Sequence, residues 1–265
     1  MTVARPRWRL AGYLLTALLF YAVFLIATLP ASAMGMLLSR LTGGAASLQR
    51  PTGSFWHGSG ELAIRSGTPQ TLRARVSWSI QPFWLLIGKL QTQFESSGDI
   101  EARTTLRLGY RSLDVRDCSG SFPVSTASAI YFPLTLASLT GQVQFSAEQL
   151  ALDSSGVHGT LEIKWLNAGS RLGGLADLGD YRLTLTGQGA AVGILADTQR
   201  GEVPLNTKGA WQLQGGGTLS LDGTLGAGNR EAALTPLLTL LNARRTGDVY
   251  TFSIRTHMPS PLPLH

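Results

Sequence analysis

The sequence predicts a mainly β protein that is preceded by one N-terminal transmembrane helix. Two observations predict this class: a long uncharged apolar segment near the start, and an alternation of apolar and polar residues with period two over most of the remaining chain. We expect a long twisted antiparallel sheet with a few short helices. An open half-barrel is the first choice for its architecture, and a two-sheet sandwich is the second.

The apolar segment runs from Leu10 to Leu29 and contains twenty consecutive uncharged residues. As a helix it would be about 30 Å long, which matches the hydrocarbon core of a bilayer. Arg5, Arg7 and Arg9 stand directly before it, and the positive-inside bias keeps such a cluster in the cytoplasm. The sequence therefore predicts a membrane-spanning helix, with the bulk of the chain on the far side of the membrane.

A cleaved signal peptide is the alternative interpretation of this segment. The triplet Ala31-Ser32-Ala33 fits a small-x-small cleavage pattern, and Pro30 ends the helix just before it. However, the apolar core of a signal peptide is usually about 7–15 residues long, and this segment is longer. We favour the uncleaved anchor, and both interpretations place the following domain in the same compartment.

The charge distribution argues against nucleic acid as a partner. The net charge is +6, with 22 basic and 16 acidic residues, but three of the basic residues belong to the arginine cluster before the apolar segment. The remaining excess is small and evenly spread, whereas a phosphate-binding surface needs clustered basic residues. The single cysteine, Cys118, cannot form an internal disulfide, so we expect it to be a small buried side chain in a domain held by packing.

Alternating apolar residues predict roughly a dozen strands, each with one buried and one solvated face. Clusters of glycine and polar residues separate the strands at hairpin spacing. Because Trp78 continues the apolar register of Val76 and Ile80, we expect it to be buried. The clearest alternating stretches are residues 72–80, 100–110, 157–165, 181–185, 213–221 and 250–254.

Residues 34–41, before the alternation begins, predict a short helix near the membrane surface. Three segments interrupt the alternation: a short apolar run at residues 83–87 after Pro82, a bent helix or loop packed over the sheet at 125–139, and a helix of about three turns at 232–243. The resulting division of the chain is a cytoplasmic N-terminus at residues 1–9, a transmembrane helix at 10–29, a membrane-proximal helix and linker at 30–52, and an exported β-rich domain at 53–265.

The sequence carries no pattern typical of a catalytic, cofactor-binding or metal-binding site. The four histidines do not form a metal-ligand motif such as HExxH, and there is no nucleophile elbow or Walker loop. Asp177 and Asp180 could form a calcium site, although carboxylates are sparse around them. We therefore expect no catalytic residues, no cofactor and no metal. An enzyme would require residues that are distant in sequence to meet in one cleft.

Three short motifs follow the apolar segment in order. After Leu29-Pro30-Ala31 come a Gly-x-x-Trp-x-Gly turn within residues 53–60, a strand that ends in Val-Ser-Trp-Ser-Ile-Gln-Pro at 76–82, and an apolar run at 84–90. In this order the chain resembles the N protein of the bacterial type II (general) secretion system, over nearly all of its 265 residues. Six residues match the family's pattern as structural markers: Pro30, Gly53, Trp56, Gly58, Trp78 and Pro82.

The resemblance implies an accessory, single-pass component of the bacterial inner membrane, with its N-terminus in the cytoplasm and its C-terminal domain in the periplasm. It implies a role in moving folded proteins from the periplasm across the outer membrane, contacts with other inner-membrane components of the machine, and no enzymatic activity. The alternative is a tethered carrier of lipid or lipopolysaccharide with an apolar groove along the sheet. An envelope hydrolase is a third class, which would need clustered carboxylates or a Ser/His pair in one cleft.

Overall fold

The computed structural model describes residues 7–64, 72–126, 139–170, 177–213, 217–228 and 231–257. Three α-helices have both ends within the described chain, which also contains fourteen β-strands and a 3-10 helix at Pro82–Ile87. The helices are α1 (Arg7–Ala27), α2 (Ser32–Leu41) and α3 (Glu231–Leu240). The strands are β1 (Ala46–Gly53), β2 (His57–Ile64), β3 (Leu72–Gln81), β4 (Leu90–Gly98), β5 (Glu101–Leu108), β6 (Leu113–Pro123), β7 (Leu139–Asp153), β8 (Gly156–Ser170), β9 (Gly179–Gly189), β10 (Ala191–Arg200), β11 (Leu205–Gln212), β12 (Thr218–Leu225), β13 (Arg244–Thr246) and β14 (Val249–His257).

All fourteen described strands form one antiparallel open sheet, which confirms the mainly β prediction and the single-sheet architecture rather than the two-sheet sandwich. The strands lie side by side in the order in which the chain makes them, from β1 to β12. The order changes only at the far edge, where β14 pairs with β12 and the three-residue strand β13 lies outside β14. Each strand therefore pairs mainly with its neighbours in sequence.

The sheet begins earlier than the sequence predicts. The sequence predicts a helix and a linker over residues 30–52, but the second part of this stretch forms strand β1, which pairs with β2 from Ala46 onward. Arg50 has a φ of 46°, and the register shifts between Gln49 and Thr52. This bulge and Pro51 break the alternation of the strand, which is why the sequence resembles a linker.

Helix α1 occupies most of the apolar segment and carries its large apolar side chains in exposed positions. Leu15 and Phe20 are each 71% exposed, and Leu18, Leu19 and Phe24 are exposed to a similar degree. Among the helices of the described chain, none is both long and apolar enough to meet the criterion for a membrane span.

One side of the sheet, here called the apolar face, is lined by apolar side chains from β3 to β14. Residues that are direct partners across the strands share a face, so the register brings Phe145, Ile163 and Leu183 into one row on adjacent strands. The opposite side, here called the polar face, carries ion pairs such as Arg103 with Glu95 at 2.9 Å. On the apolar face, helix α2 packs at the β1 end and helix α3 at the β12–β14 end.

The predicted helices at 34–41 and 232–243 are confirmed by α2 and α3. The predicted bent helix or loop at 125–139 lies almost entirely outside the described residues. Cys118 is a free thiol on β6 and is half-buried, so the expectation of a small buried side chain is wrong. Its strand keeps a bulge at the preceding residue, Asp117, which has a φ of 49°.

Leu234 anchors α3 to the sheet, and its truncation should test that packing. It is 2% exposed and lies in a cluster with Val203, Leu225 and Leu238. Leu234→Ala should lower the free energy of unfolding by about 2–5 kcal/mol, because it leaves a cavity between helix and sheet. The control is Thr235→Ala, an exposed site one residue away in the same helix, which should change stability by less than about 0.5 kcal/mol. Equal urea midpoints for the two variants would contradict this packing.

Candidate functional site: the junction between helix and sheet

The chain that leaves α1 forms main-chain hydrogen bonds with the turn between β1 and β2. Phe55 donates its N–H to the carbonyl of Leu29 at 2.8 Å, and Ala31 donates its N–H to the carbonyl of Gly53 at 3.3 Å. Between these two bonds, Pro30 and Ser54 form an isolated antiparallel bridge. This junction therefore connects the first helix to the sheet by strand-like pairing.

Trp56 links the end of α1 directly to this turn. Its indole N–H donates to the carbonyl of Ile26 at 2.9 Å, and its side chain is only 9% exposed. The last carbonyls of a helix lack partners within the helix, and the carbonyl of Ile26 accepts both this indole and, at 3.4 Å, the N–H of Leu29 beyond the helix end. The carbonyl of Trp56 accepts from the N–H of Ile80 at 2.6 Å, and its ring meets that of Phe55 edge to face at 5.3 Å. One residue thus contacts the helix, the turn and β3.

Trp78 lies beneath the turn and confirms the expectation of burial, at 7% exposed. Its indole N–H donates to the carbonyl of Phe55 at 2.9 Å. Gly58 lies against the ring: a Cβ there would stand 2.5 Å from Cζ2 of Trp78 and 2.8 Å from the carbonyl oxygen of Ser54. Gly53 has a φ of 88°, a conformation that favours glycine. Both glycines are therefore required by the geometry of the turn.

The structure brings five of the six marker residues together in the junction: Pro30, Gly53, Trp56, Gly58 and Trp78. The sixth, Pro82, is exposed and begins the 3-10 helix after β3, and none of the described junction contacts involves it. The apolar side of the junction is a cluster in which the buried residues are Ala31, Trp56, Val76, Trp78 and Ile80.

Sequence reasoning missed Ala31 as a marker of this site, although the Leu29-Pro30-Ala31 motif contains it. Ala31 is 2% exposed and packs in the junction cluster, although its sequence context suggested a cleavage pattern. Ile26 was missed as well, because it contributes a main-chain carbonyl that no side-chain pattern encodes. The available signal was the small residue after Pro30, which allows close approach of the turn.

Ser155, His158 and Asp153 meet at the hairpin between β7 and β8, but their arrangement differs from a catalytic triad. The Ser155 hydroxyl donates to the Asp153 carboxylate, and its oxygen lies 2.8 Å from Nε2 of His158. Because a hydroxyl has one proton, Ser155 must then accept from His158, whereas a nucleophilic serine donates to its histidine. This cluster therefore reads as a hydrogen-bonded turn on the surface.

The acidic pairs considered from the sequence do not form a metal site in the described chain. Asp180 accepts the N–H of Asn167 at 2.8 Å and forms an ion pair with Arg200 at 3.1 Å. Its carboxylate is thus used within the protein. Within the described ranges, no group of three or more His, Cys, Asp or Glu residues could hold a metal ion.

The fold and the junction define a class of protein, namely a one-sheet β domain joined to an N-terminal apolar helix through main-chain and indole hydrogen bonds. A family model described as type II secretion system (T2SS), protein N matches residues 45–253, which is well over half of the chain. The chain therefore belongs to the type II secretion system protein N family and is involved in type II secretion. No curated protein and no solved structure gives a significant match.

Trp78→Ala should lower the free energy of unfolding by about 3–5 kcal/mol, because it removes a buried aromatic ring and leaves the Phe55 carbonyl without its donor. The matched control is Trp84→Ala, since Trp84 is 40% exposed and its indole reaches only the side chain of Gln81. Chemical unfolding of both variants checks this prediction. If Trp84→Ala lowered the free energy of unfolding as much as Trp78→Ala, the junction would not be the site that stabilises this end of the sheet.

Ser155→Ala should raise the pKa of Asp153. The pKa of this carboxyl is held below its ordinary value mainly by the hydrogen bond from the Ser155 side chain, with the Ser155 amide and His158 as further causes. A depressed folded-state pKa stabilises the fold above the unfolded-state pKa, and this contribution is lost as pH falls through the folded-state pKa. An NMR titration of the carboxyl carbon measures the effect.

The control for this titration is His158→Ala, which should raise the pKa of Asp153 by less than Ser155→Ala does, because the charge of His158 is a smaller cause. An unchanged titration in Ser155→Ala would contradict the described hydrogen bond.

Proposed function

We propose that this protein is an inner-membrane-anchored accessory component of the type II secretion system. In this proposal it supports export of folded proteins from the periplasm across the outer membrane through protein–protein contacts. Residues 1–9 lie in the cytoplasm, residues 10–29 span the membrane, residues 30–52 lie next to it, and residues 53–265 form the periplasmic part. Membership in the family supports the secretion role and contact with other components of the system.

The anchoring proposal is supported by the sequence and by the surface of α1. The uncharged run from Leu10 to Leu29 has the length of a membrane span, and a basic cluster precedes it. The described apolar side chains of α1 are exposed to the surroundings, which in water would be unfavourable. Burial of Ala31 in the junction favours the uncleaved chain over a signal peptide removed at residues 31–33.

The junction is the observation that carries the proposal of a structural role. A domain on a flexible tether would face all directions, whereas pairing at Pro30 and the indole bond to Ile26 hold the sheet at one orientation to α1. If α1 lies in the membrane, the sheet projects from the membrane at a fixed angle. Such a fixed projection suits a component that positions other proteins of an assembly.

The proposal assigns no enzymatic activity, no cofactor and no metal to the chain. The family is one of secretion-system components. The cluster of Ser155, His158 and Asp153 has the hydrogen-bond order of a turn, with Ser155 donating to Asp153. We therefore interpret the protein as one that acts through protein–protein contacts at its surface.

Topology is tested with an enzyme reporter fused after His265. A reporter that is active only in the periplasm should give full activity, and one that is active only in the cytoplasm should give none, because the arginine cluster retains the N-terminus inside. The control removes the cluster by Arg5→Glu, Arg7→Glu and Arg9→Glu, which should reduce periplasmic activity. A mature protein that begins near Met34 would reject the anchor.

The secretion role is tested by deleting the gene and measuring where folded exoproteins accumulate. Deletion should move them from the medium to the periplasm, and the wild-type gene should restore secretion. Trp56→Phe, which keeps the ring but loses the indole bond to Ile26, should restore less secretion than the control Trp84→Phe. Unchanged secretion in the deletion strain would reject the proposal.

A carrier of lipid or lipopolysaccharide is the second candidate, and one observation favours it. Between the ends covered by α2 and α3, the described apolar face has half-buried side chains such as Leu106, Phe145 and Ile194. A cavity of about 400 Å³ opens on this face next to α3, lined by apolar side chains that include Val143, Trp165 and Leu225. An acyl chain has the chemistry to cover such a surface.

Photo-crosslinking distinguishes the two functions. A crosslinking residue at Ile163, on the apolar face, should capture lipid if the carrier function is correct, whereas the same residue at Lys164, on the polar face, is the control. Lipid capture at 163 together with normal secretion in the deletion strain would replace the secretion role by the carrier role. Absence of lipid at 163 would reject the carrier.

A further inference from the structure

We propose that the outer edge of β14 binds an extended segment of another protein as an added antiparallel strand, and that this segment alternates apolar and acidic residues. The inference rests on the proposed function only in assigning the bound segment to another component of the secretion machine. Strand addition of this kind uses main-chain hydrogen bonds for affinity and alternate side chains for selectivity.

The main chain of β14 is open over its second half. Strand β13 covers only its first three residues, Val249 to Thr251. In an antiparallel ladder alternate residues direct both main-chain groups to the same side, so the groups of Ser253, Arg255 and His257 point away from β12. These three residues are exposed, and in the described part of the chain no strand pairs with them on that side.

The opposite edge of the sheet is blocked, which makes the β14 edge distinctive. On β1, Pro51 has no N–H to donate, and the bulge at Arg50 interrupts the ladder. The N–H of Ala46 is taken by the Thr42 hydroxyl at 3.1 Å, and the end of β1 pairs with the chain after α1. Of the two described edges, only that of β14 presents a regular run of free main-chain groups.

The side chains of β14 define what an added strand should carry. Ser253, Arg255 and His257 lie on the polar face, and Phe252 and Ile254 lie on the apolar face between them. Residues opposite each other in neighbouring strands share a face. An added strand should therefore place apolar residues beside Phe252 and Ile254, and polar residues opposite Ser253 and Arg255.

Charge selects acidic residues for those polar positions. Arg255 and Arg244 are exposed, and neither guanidinium forms an ion pair within the described residues. The neighbouring carboxylate on the polar face is that of Asp222, which lies opposite Ser253. A glutamate or aspartate opposite Arg255 would complete a cross-strand pair of opposite charge.

Two other occupants fit this edge less well. In a symmetric pairing with a second copy, Arg255 would lie opposite Ser253, Arg255 or His257 of that copy, none of which is acidic. The sequence after His257 contains Pro259, Pro261 and Pro263, and each proline lacks the N–H that a ladder requires. An acidic segment of another protein can both form main-chain hydrogen bonds with β14 and pair its carboxylates with Arg255.

The test uses the purified full chain in detergent and a fluorescent seven-residue peptide that alternates valine and glutamate. The peptide should bind saturably, and a peptide with lysine in place of glutamate should bind at least about tenfold more weakly. Equal affinity for the two peptides would overturn the charge argument and with it the proposal.

Ser253→Pro is the decisive variant, because it removes an outward N–H without touching the bonds to β12. It should weaken binding of the glutamate peptide by about tenfold, whereas the matched control Ser253→Ala should bind like the wild type. Thermal unfolding verifies that both variants fold.

Arg255→Glu is a second, independent test of the charge argument, since it should reverse the binding preference from the glutamate peptide to the lysine peptide. Unaltered binding in Ser253→Pro or an unreversed preference in Arg255→Glu would overturn the proposal.

Truncation after His257 and sedimentation test the other occupants. Peptide binding that appears only after truncation would assign the edge to the protein's own tail, and a dimer that Ser253→Pro dissociates would assign it to a second copy. Either result overturns the proposal. A gene deletion without a secretion defect would instead reject the secretion role and leave peptide binding unaffected, so the two failures are distinguishable.

Discussion

The alternation of side chains across one continuous antiparallel ladder is the constraint on which the rest of the structure depends. A shift of one residue would turn the apolar side chains of a strand to the polar face, so the register of every strand is tied to that of its neighbours. Where the pairing skips, as between Arg103 and Thr105 against β6, Asp117 adopts a left-handed conformation and the alternation resumes in phase. A sheet with one apolar face follows, and its two ends need the helices α2 and α3 as cover.

At the β1 end, the residues that cover the apolar face also hold the end of helix α1 in place. The apolar cluster under α2 contains Trp56 and Trp78, and both indoles donate to main-chain carbonyls, of Ile26 and Phe55 respectively. Packing and hydrogen bonding therefore act at the same place, and the ring positions that bury apolar area also satisfy polar groups. The result is a junction in which a helix end, a turn and a strand are mutually positioned.

The sequence predicts the individual strands and helices of this fold better than the contacts that connect them. The alternation around Trp78 predicts its strand and burial, because period-two burial is a local property. Strand β1 was missed, since Pro51 and the bulge at Arg50 disturb its alternation and only pairing with β2 establishes it. The junction could be anticipated as a motif around Trp56, but its bond to Ile26 joins residues thirty positions apart through a carbonyl that no residue type reveals.

The sequential strand order has a consequence for how the protein forms. From β1 to β12 each hairpin can close with the strand just made, so contacts are local and loop-closure costs stay small. A chain that emerges N-terminus first can thus add strands one at a time to the template started at the junction. The last step differs, because β14 pairs with β12 only after the chain has passed through α3 and β13. Completion of the sheet therefore waits for strand β14, and a chain interrupted before this strand retains an unfinished edge at β12.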